Sequence, residues 1–168
     1  EMAAAVARAV RQGEQLLVEA PTGIGKTAAA LFPMLVEALR QGRKLYVLTS
    51  KTTQQEIFRK TLEAIAAASA RSVRLRAKER MCANGVVLCH EDHCPFARDY
   101  AAKLDASGLL ERLLAATPHL EPDFVFEESR AAEVCPFEVS LELAARADVV
   151  LGDYNYAFDP WVALADFG

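Results

Sequence analysis

No apolar run in this sequence is long enough to cross a bilayer. Stretches such as Ala28 to Val36 fall well short of the roughly 20 residues a transmembrane helix needs, and Pro33 interrupts that one. No membrane partner is expected. A signal peptide is not expected either, because the chain opens on an Ala-rich helical pattern that carries Arg8 and Arg11. A cytoplasmic location is the default that follows. An excess of positive charge is missing too. The formal net charge is −4, so only a local concentration of Lys and Arg could argue for a polyanionic partner. The composition is not that of a disordered chain: 52% of residues are hydrophobic, with only 8 Gly and 7 Pro. Internal repeats are absent, and Ala richness is the one compositional bias. At 168 residues the chain suits one domain, or one domain with a small insertion.

What is present alternates. Residues 2–12 read as a helix, with Val6 and Val10 four apart, stopped by Gly13. Leu16, Leu17 and Val18 are a short apolar run, as expected of a buried parallel strand. A Gly-containing turn leads to a helix over 26–40, ended at Gln41-Gly42, with Pro33 expected to kink it. Lys44 to Thr49 reads as a strand, and 52–67 as a helix with Phe58, Leu62 and Ile65 on one face. Strand, loop, helix, strand, helix predicts an α/β fold with a parallel sheet. The pattern breaks near residue 71, where Arg71, Arg74, Arg76, Lys78 and Arg80 are opposed by Glu79 alone. Helical patterning resumes at 96–104 and 109–114, separated by Ser107-Gly108. Residues 117–127, with Pro118 and Pro122, read as a loop or extended segment. Pro136 sits well at the first position of a further helix, and Ala147 to Leu151 reads as a third strand.

The strongest motif is Ala20-Pro21-Thr22-Gly23-Ile24-Gly25-Lys26-Thr27. It fits the phosphate-loop pattern G-x-x-x-x-G-K-[ST], with Ala20 in place of the first Gly. Gly23 and Gly25 allow backbone conformations that a side chain forbids. Successive N–H groups then converge on phosphate oxygens, aided by the positive end of the helix that follows. Lys26 is expected to reach the β- and γ-phosphates and Thr27 to ligate Mg²⁺. The motif speaks for nucleotide binding and is silent on what hydrolysis drives.

Cysteine is scarce. The chain has four, spaced Cys82-x6-Cys89-x4-Cys94-x40-Cys135, and Cys94 and Cys135 are each followed by Pro. A reducing compartment makes them metal or cluster ligands rather than disulfides. Four thiolates suit a 4Fe–4S cluster or a tetrahedral Zn²⁺. Zinc sites usually show paired knuckles, and no second knuckle is present, which argues mildly for a cluster. Lys78 and Arg80 could offset thiolate charge. His90 and His93 flank two of the cysteines and read as exposed loop residues, with a mixed Cys/His zinc site as the alternative.

Phosphate loop and cysteines together give a resemblance. The chain resembles the superfamily 2 iron–sulphur DNA helicases, the XPD and DinG group, over nearly its whole length. Thr49-Ser50-Lys51-Thr52-Thr53-Gln54-Gln55 is similar to the family's motif Ia, with Lys51 for its Arg and Thr53 for its His. Lys78 stands four residues before the first cysteine, as a basic residue does in the family. Cys135-Pro136-Phe137-Glu138 and Ala147 to Pro160 look like the family's segments at and after the cluster region. The resemblance implies that Cys82, Cys89, Cys94 and Cys135 hold a 4Fe–4S cluster. It implies a helicase that moves 5′ to 3′ on single-stranded DNA with ATP and Mg²⁺ and acts on forked DNA. Repair or replication proteins become possible partners, and a bacterial protein would be nucleoid-associated. Thr49, Ser50, Lys51 and Thr52 would contact the strand, as would Lys78 and Arg80. Tyr154, Asn155 and Tyr156 are further candidates, the tyrosines standing equally well as core aromatics or as stacking platforms.

The implied architecture is α/β, a partial RecA-like parallel sheet with an inserted, mostly helical four-cysteine domain. Residues 1–77 would form the first part of the motor domain, 78–136 the cluster domain and 137–168 the return. No Asp-Glu-x-His segment occurs, so the sequence reads as an excerpt whose partner is the rest of the same helicase chain. Such an excerpt is expected to bind nucleotide without unwinding DNA. Two other readings remain: a nucleotide-binding regulatory module with structural zinc or a redox-sensing cluster, and a small P-loop kinase.

Overall fold

Four short parallel strands organise the chain in the computed structural model, which describes residues 1–21, 23–66, 70–159 and 164. In chain order the elements among the described residues are α1 (Met2–Gln12), α2 (Lys26–Arg40), β1 (Leu45–Leu48), α3 (Thr52–Ala66) and β2 (Ser72–Arg74). A 3₁₀ turn at Lys78–Arg80 follows, then α4 (Tyr100–Ser107), α5 (Leu109–Ala116), β3 (His119–Leu120) and α6 (Pro122–Ala131). The chain closes with α7 (Pro136–Arg146), β4 (Val149–Gly152) and α8 (Asn155–Phe158). The sheet order is β1-β4-β2-β3, and every pairing is parallel.

Parallel sheets are covered on both faces, and β4 shows why. Val149 and Leu151 face a core made with Leu31, Leu35, Val47 and Leu62. Val150, one residue out of phase, faces a second core with Val73, Leu113, Val139 and Leu143. Val149 and Val150 are fully buried, and each such side chain contributes about 1.5–3 kcal/mol. The helices α2 and α3 cover one face, and α5 and α7 the other.

Local chemistry sets the element ends. Gly13 adopts a left-handed conformation at φ 68° and closes α1. Arg11 then reaches the buried Glu37 at 2.8 Å and ties α1 to α2. Lys44 donates to the carbonyls of Ala144 and Ala145 at 2.7 and 3.0 Å, placing a cation at the C-terminus of α7. The helix α2 continues across the buried Pro33.

Three expectations are corrected. Leu16 to Val18 forms no strand: Leu17 is 98% exposed, and none of the described strands pairs with this segment. An apolar run becomes a strand only where a neighbour takes up its backbone hydrogen bonds. The break at residue 71 is β2, whose Val73 is fully buried between β4 and β3. The stretch 117–127 holds β3 and the first half of α6, because Pro122 starts a helix rather than ending one. β3 lies within the 78–136 stretch, yet it extends the same sheet, and Leu120 and Val125 share the core of Val150.

Candidate functional site

Because all four strands run parallel, their C-terminal ends open on one edge of the sheet. Leu48 lies beside Gly152, and Leu151 beside Arg74. Residues 49–52, 75–80 and 153–156 therefore emerge side by side. The helix α2 runs back into β1 through a short turn, which brings its N-terminus at Lys26 to the same edge. Ligands of open α/β sheets bind outside the carboxyl ends of the strands.

The phosphate loop has the conformation its glycines allow. Gly23 and Gly25 take φ of 82° and 77°, and nothing lies within 4 Å of a Cβ built on either. The demand for glycine is thus conformational, not a matter of space. Gly25 is the N-cap of α2, so the first-turn N–H groups, beginning at Lys26, face the loop without helical partners. Lys26 Nζ donates to the Pro21 carbonyl across the loop. Ala20 and Thr27 are half-buried, while Pro21 and Ile24 are exposed. Thr22 lies outside the described residues.

The 49–52 segment divides its labour. Thr49 is buried, its N–H donates to the Gly152 carbonyl at 3.0 Å, and its hydroxyl donates to the Gln54 side chain. Ser50, Lys51 and Thr52 are exposed at the mouth of α3. The 153–156 segment divides in the same way. Asp153 Oδ1 accepts the Asn155 N–H at 2.9 Å and fixes the start of α8. Tyr154 and Asn155 face outward. Tyr156 is buried, its hydroxyl donates to the Arg76 carbonyl at 3.0 Å, and burial pushes its phenol up to about 12. Of the two tyrosines singled out in the sequence, Tyr156 is therefore a core aromatic. Phe158, which sequence reasoning passed over, is 79% exposed.

A cavity of about 1230 Å³ collects Thr52, Arg74, Arg76, Lys78, Arg80 and Asn155 on its walls. Its cations are partly committed. Arg74 pairs with Glu56 at 3.2 Å and also with Glu121. Arg76 pairs with the exposed Asp123 at 2.5 Å and holds that carboxyl below its usual range. The hydrogen bond from Arg59 lowers the Glu56 carboxyl to about 2, against a smaller opposing effect of burial. Glu121 is pushed up by burial, and Arg74 and Arg59 only partly offset that. The basic run is thus part of the packing of α3 against β2 and the start of α6, not a bare solvated face.

A second cavity, of about 270 Å³, is lined by all four cysteines. Cys82, Cys89 and Cys94 come from the loops before α4, and Cys135 is the N-cap of α7. All four thiols are free, with Cys94 buried and Cys89 exposed. Burial pushes the Cys135 thiol up, while the N–H groups of Glu138 and Phe137 pull it back. Lys78 stands at the junction of the two cavities with Phe137 and Glu138. Its ammonium lies 5.0 Å from the Phe137 ring centre and 3.7 Å from the Glu138 carboxylate. Burial alone would lower Lys78, but the Cys89 thiol and Glu138 outweigh it and raise it. Among the described residues, no three His, Cys, Asp or Glu side chains gather closely enough to hold one metal ion. His90 and His93 sit on the outside of the loop with their rings 5.8 Å apart.

The DEAD/DEAH box helicase model matches residues 1–85, and the DEAD_2 model matches residues 49–165. The ATP-dependent DNA helicase YoaA of Escherichia coli (strain K12) is 41% identical over 69 residues, 40% of this chain and 10% of that protein. YoaA of Haemophilus influenzae is 44% identical over 66 residues, 39% of this chain and 10% of its own length. The ATP-dependent helicase DinG of Mycobacterium tuberculosis (strain ATCC 25618 / H37Rv) is 46% identical over 55 residues, 33% of this chain and 8% of that protein. The matched region amounts to a tenth or less of the length of these relatives.

Proposed function

The chain belongs to the DEAD/DEAH box helicase family, and we propose that it is part of an ATP-dependent DNA helicase of the YoaA and DinG kind. It binds ATP–Mg²⁺ and single-stranded DNA, and it works with the rest of the helicase chain. The observation that carries this reading is the shared sheet edge, where Lys26, Lys51 and Asn155 emerge from neighbouring connections. A motor needs its nucleotide and its track on one rigid element, so that closing on one moves the other.

In this reading Lys26 exchanges the Pro21 carbonyl for the β- and γ-phosphates, a charged acceptor in place of a neutral one. Thr27 meets Mg²⁺, and the left-handed glycines aim the loop N–H groups at the phosphates. Ser50, Lys51, Thr52, Lys78 and Arg80 serve the DNA backbone. Thr49 holds the 49–52 turn against β4 instead of reaching outward.

The same proposal assigns a 4Fe–4S cluster to Cys82, Cys89, Cys94 and Cys135. One feature supports the fit: a single cavity is lined by all four thiols. One zinc would draw its ligands to about 2.3 Å, whereas a cluster spreads four thiolates over several irons. When bound, it would supply thiolate–iron bonds that join the 82–94 loops to the start of α7. A 5′ to 3′ direction, forked substrates and a place in repair or replication belong to this proposal by resemblance.

The test is metal and acid-labile sulphide analysis of anaerobically purified protein, alongside Mg²⁺-dependent ATP binding. Iron and sulphide near about four each per chain, with ATP binding that Lys26→Ala weakens at least about tenfold, is the expected result. Stoichiometric zinc without sulphide would sink the cluster assignment. Failure to bind ATP would sink the motor.

A further inference from the structure

Among the described residues, three buried side-chain atoms capable of hydrogen bonding have no partner: the Tyr100 hydroxyl, His119 Nε2 and Ser129 Oγ. Of these residues only Tyr100 lines either of the two cavities, the one it shares with Cys82, Cys89, Cys94 and Cys135. A hydroxyl taken out of water without an acceptor is costly. Phenylalanine would fill the same wall with the same ring and none of that cost. The hydroxyl thus points to an acceptor that the folded chain does not itself supply.

The surroundings say which acceptor. Burial pushes the Tyr100 phenol up, and Glu142, Glu138 and the Cys135 thiol add to that, so all three act on it from α7. Both carboxylates are engaged elsewhere: Glu142 pairs with Arg146 at 2.7 Å, and Glu138 with Lys78 at 3.7 Å. The third group belongs to the thiol set. The wall that carries Tyr100 is also clasped to that set. Lys103, one turn further along α4, donates to the Pro95 carbonyl at 2.7 Å, beside Cys94. It also donates to the Glu133 carbonyl at 3.4 Å, two residues before Cys135. Asp99, just before Tyr100, and Glu133 hold φ of 53° and 55°, and they are the two non-glycine residues with positive φ among the described residues. Such conformations persist where the surrounding structure fixes them, and they concentrate at functional sites.

We infer that the Tyr100 hydroxyl donates a hydrogen bond to a sulphur of the 4Fe–4S cluster, thiolate or sulphide, and so belongs to the cluster site beside the four cysteines. The inference rests on the cluster assignment and adds to it a residue from outside the ligand set. Cluster sulphurs carry negative charge, and a charged acceptor makes the stronger bond. Hydrogen bonds to those sulphurs help to set the reduction potential. Reduction adds an electron to the cluster, so a donor stabilises the reduced form more and raises the potential. Without an acceptor the hydroxyl weighs against the fold, and with the cluster bound it is satisfied.

The experiment uses the full helicase chain, purified anaerobically with its cluster, and the variant Tyr100→Phe, which removes the hydroxyl and keeps the ring. Two quantities are read besides iron and sulphide content: the reduction potential, by redox titration of the visible absorbance, and the shift of the iron–sulphur stretching bands on exchange into D₂O, by resonance Raman spectroscopy. With iron and sulphide equal to the parent's, the variant has a more negative potential and a smaller D₂O shift. A potential and a D₂O shift that both match the parent's overturn the hydrogen bond and leave the cluster assignment standing. A higher potential in the variant overturns it as well. A parent chain that holds no iron and sulphide overturns the cluster assignment itself, a pattern distinct from the other two.

Discussion

The two halves of the sheet edge are built on opposite plans. Around β4, β2 and β3 the side chains are locked: Val73, Leu109, Val134, Val139, Leu143 and Val150 are fully buried. Around the phosphate loop little is held. Leu16, Leu17 and Val18 are exposed, Ile24 is exposed, and Lys26 spans the loop to Pro21. Yet the loose region carries the most recognisable motif, and the packed region carries almost none. A motif records what a ligand demands of the chain. Packing records what the chain demands of itself, and many sequences meet that second demand equally well.

Substitutions can break this contrast. The largest expected effect is in the packed region. Leu143→Ala, at a fully buried site, should cost about 2–5 kcal/mol in urea unfolding followed by circular dichroism. The matching change on the other side, Leu17→Ser, should move the midpoint by less than about 0.5 kcal/mol. Next comes Lys26→Ala. It should leave unfolding unchanged and weaken ATP binding by about 1.5–3 kcal/mol, measured by calorimetry. A variant that lost stability instead would make Lys26 a structural residue and erase the contrast.

Two smaller effects sharpen the comparison, because they probe the charges that stitch α3 to the packed half. Arg74→Met removes the cation shared by Glu56 and Glu121 and should cost about 1 kcal/mol of stability. The smallest effect is in pH. Arg59 and its neighbours lower the Glu56 carboxyl to about 2. Its contribution is therefore present above the ordinary carboxylate value and is lost as pH falls towards about 2. Glu121 is shifted upward, so it contributes with the opposite sign, favouring the fold below the ordinary value and losing that as pH rises. Glu56→Gln should flatten the acid limb of a stability–pH curve, and an unchanged limb would remove Glu56 from the network.

Much of this was legible in the residues, for reasons that can be named. Phe58, Leu62 and Ile65 marked the inner face of α3, and all three join the core of Leu31 and Val47. Gly13, Gly108 and Pro136 marked helix ends and starts, and each stands where its backbone preference places it. β2 was hidden because its flanking arginines read as a charge run. Their partners Glu56, Glu121 and Asp123 lie distant in sequence, so no local pattern discloses that the charges are satisfied. β3 has two residues, too few for any periodicity. At the site, spacing singled out the cysteines that line one cavity. It could not separate Tyr156 from Tyr154, since a step of two residues along a short helical turn decides which faces the core. Phe158 carried no signal, being one more aromatic close to two tyrosines.

The position of β4 has a consequence for the order of events during synthesis. Among the described strands it is made last, and it sits between β1 and β2, which do not pair with each other. While residues up to about Arg146 are being made, none of the described strands lies beside β1, and the ladder is unfinished. Closure across roughly a hundred residues, from Leu45 to Val149, waits until β4 has been made. Such long-range pairing is slow and leaves apolar edges open meanwhile. Nascent chains stalled before Val149 should therefore lean on chaperones, and those stalled well beyond Gly152 should not.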